Sequence, residues 1–373
     1  MATMQISGRP PLWQVIKPYI TVFDGPLSLI LFLLLSVSTV TMYSAGYDHG
    51  TRIDDHLRNI LISFVVMWIA AVMPPQMLMR IALPLYTLGV ALLVAVAMFG
   101  IIKKGARRWI DIGVVIQPSE LLKIAVPLML AWYFQKREGT LRWTEFMVAT
   151  VLLVIPVALI AKQPDLGTAL LVLAAGFYVI FLAGLSWKVL LFLFIGGLAS
   201  LPVVWSVLHD YQRQRVMTLI DPTSDPLGKG FHIIQSTIAI GSGGVTGKGW
   251  FNGTQAHLEF IPERTTDFVF AVYSEEFGLV GNLILLLIYL LLIGRGLLIA
   301  ANAPTVFTRL LAGAITMIFF TYAFVNMGMV SGILPVVGVP LPFMSYGGTA
   351  FVTLGLGVGM LMSIQRHRKL IQS

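Results

Sequence analysis

The chain has 373 residues, of which 57% are apolar and only 11% charged, and its mean hydropathy is +0.86. A soluble domain carries about 25% charged residues and a disordered chain is more polar still, so both classes are excluded. The net charge of +8 suits cytoplasmic anchoring charge and anionic lipid in so apolar a chain, rather than nucleic acid.

Apolar runs with few charges fall at 27–46, 58–75, 81–100, 116–135, 146–162, 166–185, 187–208, 268–294, 308–332 and 347–364. A bilayer span takes about 20 apolar residues, and in lipid such a run must be helical because its backbone has no other partner. The expected fold is therefore an all-α integral membrane protein with ten transmembrane helices, one polytopic domain over 1–373. The second and fifth runs are short. The first 26 residues are mixed and polar, with no apolar run ending at a small-residue cleavage site, so the first span is expected to insert and stay. One connection, 209–267, is long. The segment 333–346 is apolar but holds Pro335, Pro340 and Pro342, which predicts an irregular re-entrant or membrane-edge loop.

Basic residues set the expected orientation. The tails at 1–26 and 365–373 and the loop near 136–145 lie on one side of an even number of spans, which should be the cytoplasm. The 209–267 and 101–115 segments then lie outside. The latter holds Lys103, Lys104, Arg107 and Arg108, against the positive-inside rule. Either the topology is inverted, or those external cations are plain surface pairs or an anion site at the outer face.

Charges within spans are costly and tend to mark sites. Glu120 and Lys123, in QPSELLK, share a helix face at i, i+3 spacing. They read as a self-neutralised packing pair or as a substrate contact. Asp165, in QPDLGTA, reads as a helix cap or a site carboxylate. The long connection starts DYQRQRV, with Arg213 and Arg215, and its FHIIQSTIAI stretch is amphipathic enough for the membrane surface. The glycines of GSGGVTGKGW around Lys248 lack the spacing and the Ser/Thr of a phosphate-binding P-loop, leaving a flexible turn or a backbone anion nest. Asp267 follows Thr265 and Thr266 where the chain re-enters the membrane, and reads as a cap or as a partly desolvated general base. Glu275 and Glu276 follow within the span.

The chain has no cysteine, which excludes disulfides and thiolate chemistry. Its six histidines are scattered, with neither HExxH nor GxSxG. A basic loop, an arginine pair, a Glu/Lys pair and an edge carboxylate at one face suit an anionic lipid head group. A transporter for such a lipid would need similar charges, together with inverted repeats that the sequence does not display.

Several long segments resemble the SEDS (shape, elongation, division, sporulation) family. They are KGARRWIDIG at 104–113, QPSE at 117–120 with Lys123, QPDLGTA at 163–169, DYQRQRV at 210–216, DPLGKGFHIIQSTIAIGSGGVTGKGW at 225–250, LEFIPERTTDFVFAVYSEEFGLVG at 258–281 and MGMVSGILPVVGVPLPFMSYGG at 327–348. The long connection resembles the elongation branch more than the division branch. Thr266 stands where the family often has His, which leaves the following Asp in place.

The resemblance implies a ten-span glycosyltransferase with a GT-C-like SEDS fold. Such an enzyme polymerises lipid II into β-1,4-linked peptidoglycan outside the inner membrane, alongside an elongation-type class B penicillin-binding transpeptidase. By motif match Asp267 is the catalytic aspartate. Lys104, Arg108, Trp109, Glu120, Lys123, Asp165, Arg213, Arg215, Lys248 and Ser345 fall in substrate-binding motifs. A divalent cation, Mg²⁺ or Mn²⁺, is compatible with a diphosphate substrate, and no organic cofactor is expected. A lipid II flippase and a non-catalytic wall-synthesis scaffold are the alternatives.

Overall fold

The computed structural model describes residues 21–368 apart from 49, 104–105, 112–114, 140–141, 164, 209, 225–228, 259 and 262. Each predicted apolar run lies over a helix. The first seven are α1 (Gly25–Ala45), α2 (Arg52–Val72), α3 (Pro75–Phe99), α4 (Pro118–Lys136), α5 (Trp143–Lys162), α6 (Leu166–Leu182) and α7 (Trp187–Val207). Three shorter helices follow, α8 (Asp210–Ile220), α9 (Lys229–Ser242) and α10 (Thr254–His257). The last three are long again: α11 (Val269–Ala301), α12 (Val306–Val330) and α13 (Gly348–Arg368). Among the described residues, eight helices are long and apolar enough to cross a membrane. The two predicted spans outside that set are α6, with 17 residues, and α4, which carries the Glu120–Lys123 pair near its start.

The helical fold carries one small sheet besides. The segment 101–116 forms a three-stranded antiparallel sheet, β1 (Ile101–Lys103), β2 (Ala106–Asp111) and β3 (Val115–Ile116), in the order β1-β2-β3. β1 and β3, of three and two residues, are too short for a period-two pattern, and the six residues of β2, ARRWID, do not alternate.

The long 209–267 connection is largely helical, and α9 is no free surface helix. Ile233, Ser236 and Ala239, three residues apart on one face, are buried. The Ser236 hydroxyl donates to the Val330 carbonyl at 2.9 Å.

The glycine-rich stretch after α9 is neither a flexible turn nor an anion nest. Helix α11 is interrupted at Gly278, whose φ of 62° and ψ of −159° are not helical. Regular geometry would bond Leu279 N–H to the Glu275 carbonyl and Val280 N–H to that of Glu276. Instead those carbonyls accept from Lys248 and Gly249 N–H, each at 3.0 Å, while Leu279 and Val280 donate to Gly244 and Val245 carbonyls at 2.9 and 3.0 Å. The loop is spliced into the helix break and restores both bonds, as buried backbone requires. Glycine is obligatory there: a Cβ at Gly247 would meet the Glu276 carbonyl oxygen at 2.0 Å.

The core lies among α4, α6, α11, α12 and α13. Helices α2 and α13 approach closely, with Gly355 against Ser63 and Gly359 against the Met67 carbonyl, a small-residue contact typical of membrane helices. Helix α7, by contrast, buries none of its apolar window. The segment 331–347 is irregular, as its prolines predict, and Tyr289 ties it down by donating to the Pro342 carbonyl at 2.7 Å.

Candidate active site

The ends of the helices converge at one end of the bundle. The starts of α4, α6, α11 and α13, the small sheet and the 331–347 segment lie there together. Helix starts carry partial positive charge, which favours an anionic ligand.

Asp267 stands two residues before α11 and is half-buried. Its carbonyl accepts from Asn326 Nδ2 at 2.9 Å. On its side-chain face, a Cβ built on Gly338 would lie 3.3 Å from Oδ2. The preceding residues are fixed. Thr265 carbonyl accepts from Tyr346 N–H at 2.8 Å. Arg264 is buried, donates to the Ala45 and Ala256 carbonyls at 2.9 and 2.8 Å, pairs with Asp48 and lies over the Tyr47 ring. The carboxylate is thus presented by a rigid stem.

Asp165 is buried and caps a helix start. Oδ1 caps α6 by accepting from Thr168 N–H at 3.2 Å. Oδ2 accepts from Gln117 Nε2 at 3.1 Å and faces the Arg108 guanidinium at 3.7 Å. Arg108 also donates from Nε to the Gln163 carbonyl at 3.3 Å. Strand β2 delivers Arg108 to this position, with Trp109 half-buried beside it and opposite Ile101.

Lys123 is 4% exposed and pairs with Glu120 at 2.7 Å. Its ammonium sits 5.4 Å from the centre of the Tyr322 ring. Glu120 Oε2 is buried and has no hydrogen-bond partner. The pair therefore neutralises itself through one oxygen and keeps an acceptor on the other.

Residues 337–339 connect these groups. The Val337 carbonyl oxygen would be 2.8 Å from a Cβ on Gly167, two residues past Asp165. Gly338 stands against Asp267, and Val339 belongs to the same buried cluster as Tyr322. Residues 337–339 thus meet, in turn, the start of α6 beside Asp165, then Asp267, then the cluster that holds Tyr322.

Lys248, Arg213 and Ser345 are each engaged by their own surroundings. Lys248 Nζ is held by Glu275 at 2.6 Å and by Thr254 Oγ1 at 2.7 Å, inside the spliced loop. Glu275 is fully buried and also accepts from Thr254 and Gln255 N–H, which fixes α10. Glu276 accepts from the Ser44 hydroxyl. Arg213 donates to the Trp205 and Ser206 carbonyls at the end of α7. Ser345 is buried, and its hydroxyl accepts from Leu341 N–H at 2.8 Å, so it shapes the 331–347 segment from within. Arg215 belongs to α8, but its side chain lies outside the described residues, as does all of Lys104.

The sequence reading does not single out Asn326, Tyr346 or Gly338. A lone amide within an apolar span was the available signal for Asn326.

The described residues contain no group of three or more His, Cys, Asp or Glu able to hold a metal. The described residues alone therefore offer an Mg²⁺ or Mn²⁺ ion no such cage; a diphosphate substrate would bring further oxygens.

Comparison with known proteins shows the family and the fold. A family model described as cell cycle protein, covering FtsW, RodA and SpoVE, matches residues 19–370. The peptidoglycan glycosyltransferase MrdB of Escherichia coli K12 is 53% identical over 351 residues, covering 93% of this chain and 95% of that protein. MrdB of Helicobacter pylori is 36% identical over 93% of this chain and 89% of its own length. A solved chain, from work on the structural coordination of polymerization and crosslinking by a peptidoglycan synthase complex, superposes with a TM-score of 0.81 at 33% identity. It covers 93% of this chain and 99% of its own. The rod shape determining protein RodA of Thermus thermophilus superposes with a TM-score of 0.71 at 27% identity, over 96% of this chain and 99% of its own.

Proposed function

The chain belongs to the FtsW/RodA/SpoVE family, and we propose that it is a peptidoglycan glycosyltransferase that polymerises lipid II into β-1,4-linked glycan at the outer face of the inner membrane. The observation that carries this reading is the placement of Asp267. A carboxylate on a rigid stem stands at a helix start, and residues 337–339 link it to the start of α6, where Asp165 faces Arg108, and to the buried cluster of Tyr322, beside Lys123. The acid suits an incoming hydroxyl, and the cations suit a departing diphosphate.

In the proposed step, the Asp267 carboxylate takes the proton of the acceptor sugar's 4-hydroxyl. That oxygen forms a bond to C1 of the donor sugar. The bond from C1 to the diphosphate oxygen breaks, its electron pair leaves with undecaprenyl diphosphate, and the configuration inverts from α to β. Arg108, 3.7 Å from Asp165, offsets the charge that develops on the leaving group. A divalent cation would enter with the diphosphate.

In this reading both termini are cytoplasmic and the partner is an elongation-type class B penicillin-binding transpeptidase. The placement of Arg108 gives the cations of the 101–115 segment a reason to lie outside.

The test is polymerisation of purified lipid II by reconstituted protein. Asp267→Asn is expected to lose about 10²–10⁴-fold in rate. A folded Asn variant with normal glycan synthesis would refute the general base. Movement of lipid II between leaflets without polymer would favour a flippase.

A further inference from the structure

The amide of Asn326 lies 0% exposed on α12 and makes two hydrogen bonds through one atom. Nδ2 donates to the Asp267 carbonyl at 2.9 Å and to the Val339 carbonyl at 2.7 Å. Both partners are acceptors only, so the orientation of the amide is fixed: nitrogen must face them. Its Oδ1 is buried without a hydrogen-bond partner. A leucine would fill a similar volume but leave both carbonyls without this donor, so the amide is accounted for by its N–H groups rather than by packing.

The identity of the two partners points to a role. One is the backbone of the carboxylate residue itself. The other directly follows Gly338, the residue against which that carboxylate rests. Both walls of the Asp267 position are therefore pinned to α12 by the same nitrogen. The elements so joined come from three separate parts of the chain: the end of the 209–267 connection, the middle of the proline-rich 331–347 segment, and a membrane helix.

We propose that Asn326 is a positioning residue of the transfer site, clamping Asp267 and the Gly338–Val339 peptide in one register so that the carboxylate meets the acceptor hydroxyl. This inference rests on the glycosyltransferase reading above. It concerns alignment rather than affinity, because Asn326 touches neither Arg108, Asp165 nor the Glu120–Lys123 pair through any described hydrogen bond.

The experiment compares wild type, Asn326→Leu, Asn326→Ser and Asp267→Asn in lipid II polymerisation by the reconstituted full chain, with kcat and KM measured separately. Asn326→Leu is expected to lower kcat at least tenfold while KM changes less than twofold. Asn326→Ser, which keeps one donor, should recover part of that loss. A merely structural residue would lower the active fraction without a graded response to donor number. A folded Asn326→Leu with wild-type kcat, or a loss confined to KM, would overturn the proposal. If the Leu variant does not fold, the kcat and KM of the Ser variant decide by the same criteria. An Asp267→Asn protein as active as wild type overturns the site reading and this proposal with it. An inactive Asp267→Asn beside a fully active Asn326→Leu overturns the proposal alone.

Discussion

Gly338 stands against the carboxylate of Asp267, with a φ of +74° and only 3.3 Å between Oδ2 and the point where a Cβ would lie. Contact and dihedral both call for glycine. Gly338→Ala is expected to cost about 1–2 kcal/mol in left-handed backbone strain. It should also displace the carboxylate, and misplacement on the ångström scale costs up to ~10²-fold in rate. Lipid II polymerisation at the wild-type rate by this variant would show that the contact does not set the geometry.

Arg108 is expected to act on the diphosphate. Its guanidinium reaches only 3.7 Å from Asp165, a looser pair than the 2.7 Å between Lys123 and Glu120. Arg108→Glu places a second acid beside Asp165 and should raise the lipid II concentration needed for half-maximal rate. An unchanged concentration dependence would remove Arg108 from donor binding.

The Lys123–Glu120 pair predicts a different pattern. Removing one partner of a buried pair typically costs about 3–5 kcal/mol, because the other charge is left uncompensated. Lys123→Met should therefore lower the unfolding temperature in detergent more than the double variant Lys123→Met, Glu120→Gln does. Equal losses in the two proteins would mean that Glu120 is neutralised by something other than Lys123.

Two glycines of one loop should behave differently. Gly244 has a φ of +56° and open space where a Cβ would go, so Gly244→Ala is expected to cost only the ~1–2 kcal/mol of backbone strain. Gly247 has a φ of +81° and the Glu276 carbonyl oxygen at 2.0 Å. Gly247→Ala cannot keep the splice and should lose more stability than Gly244→Ala. Calorimetry on the two variants decides, and similar losses would contradict the loop's insertion into α11.

The helices were legible because lipid imposes one rule on all of them: an apolar run must satisfy its own backbone. Asp165 and the Glu120–Lys123 pair were legible for the same reason, since charges are scarce in such a chain. The sheet at 101–116 was not, because two of its strands are too short to carry a pattern and the third does not alternate. Lys248 and Ser345 show a second limit. Each sits in a segment rich in polar or special residues, and each is engaged by its own surroundings, Glu275 in one case and Leu341 in the other. Local sequence does not reveal such distant or internal partners. Asn326 shows the converse, an amide in an apolar run whose two acceptors lie 59 and 13 residues away.

The break at Gly278 separates a lipid-facing shaft from a short headpiece that carries Asp267 at its tip. Membrane helices tilt to match the thickness of the bilayer around them. Here the 244–249 backbone holds the headpiece at Glu275 and Glu276 and the shaft at Leu279 and Val280, so the angle between the two is set by that staple rather than by a free hinge.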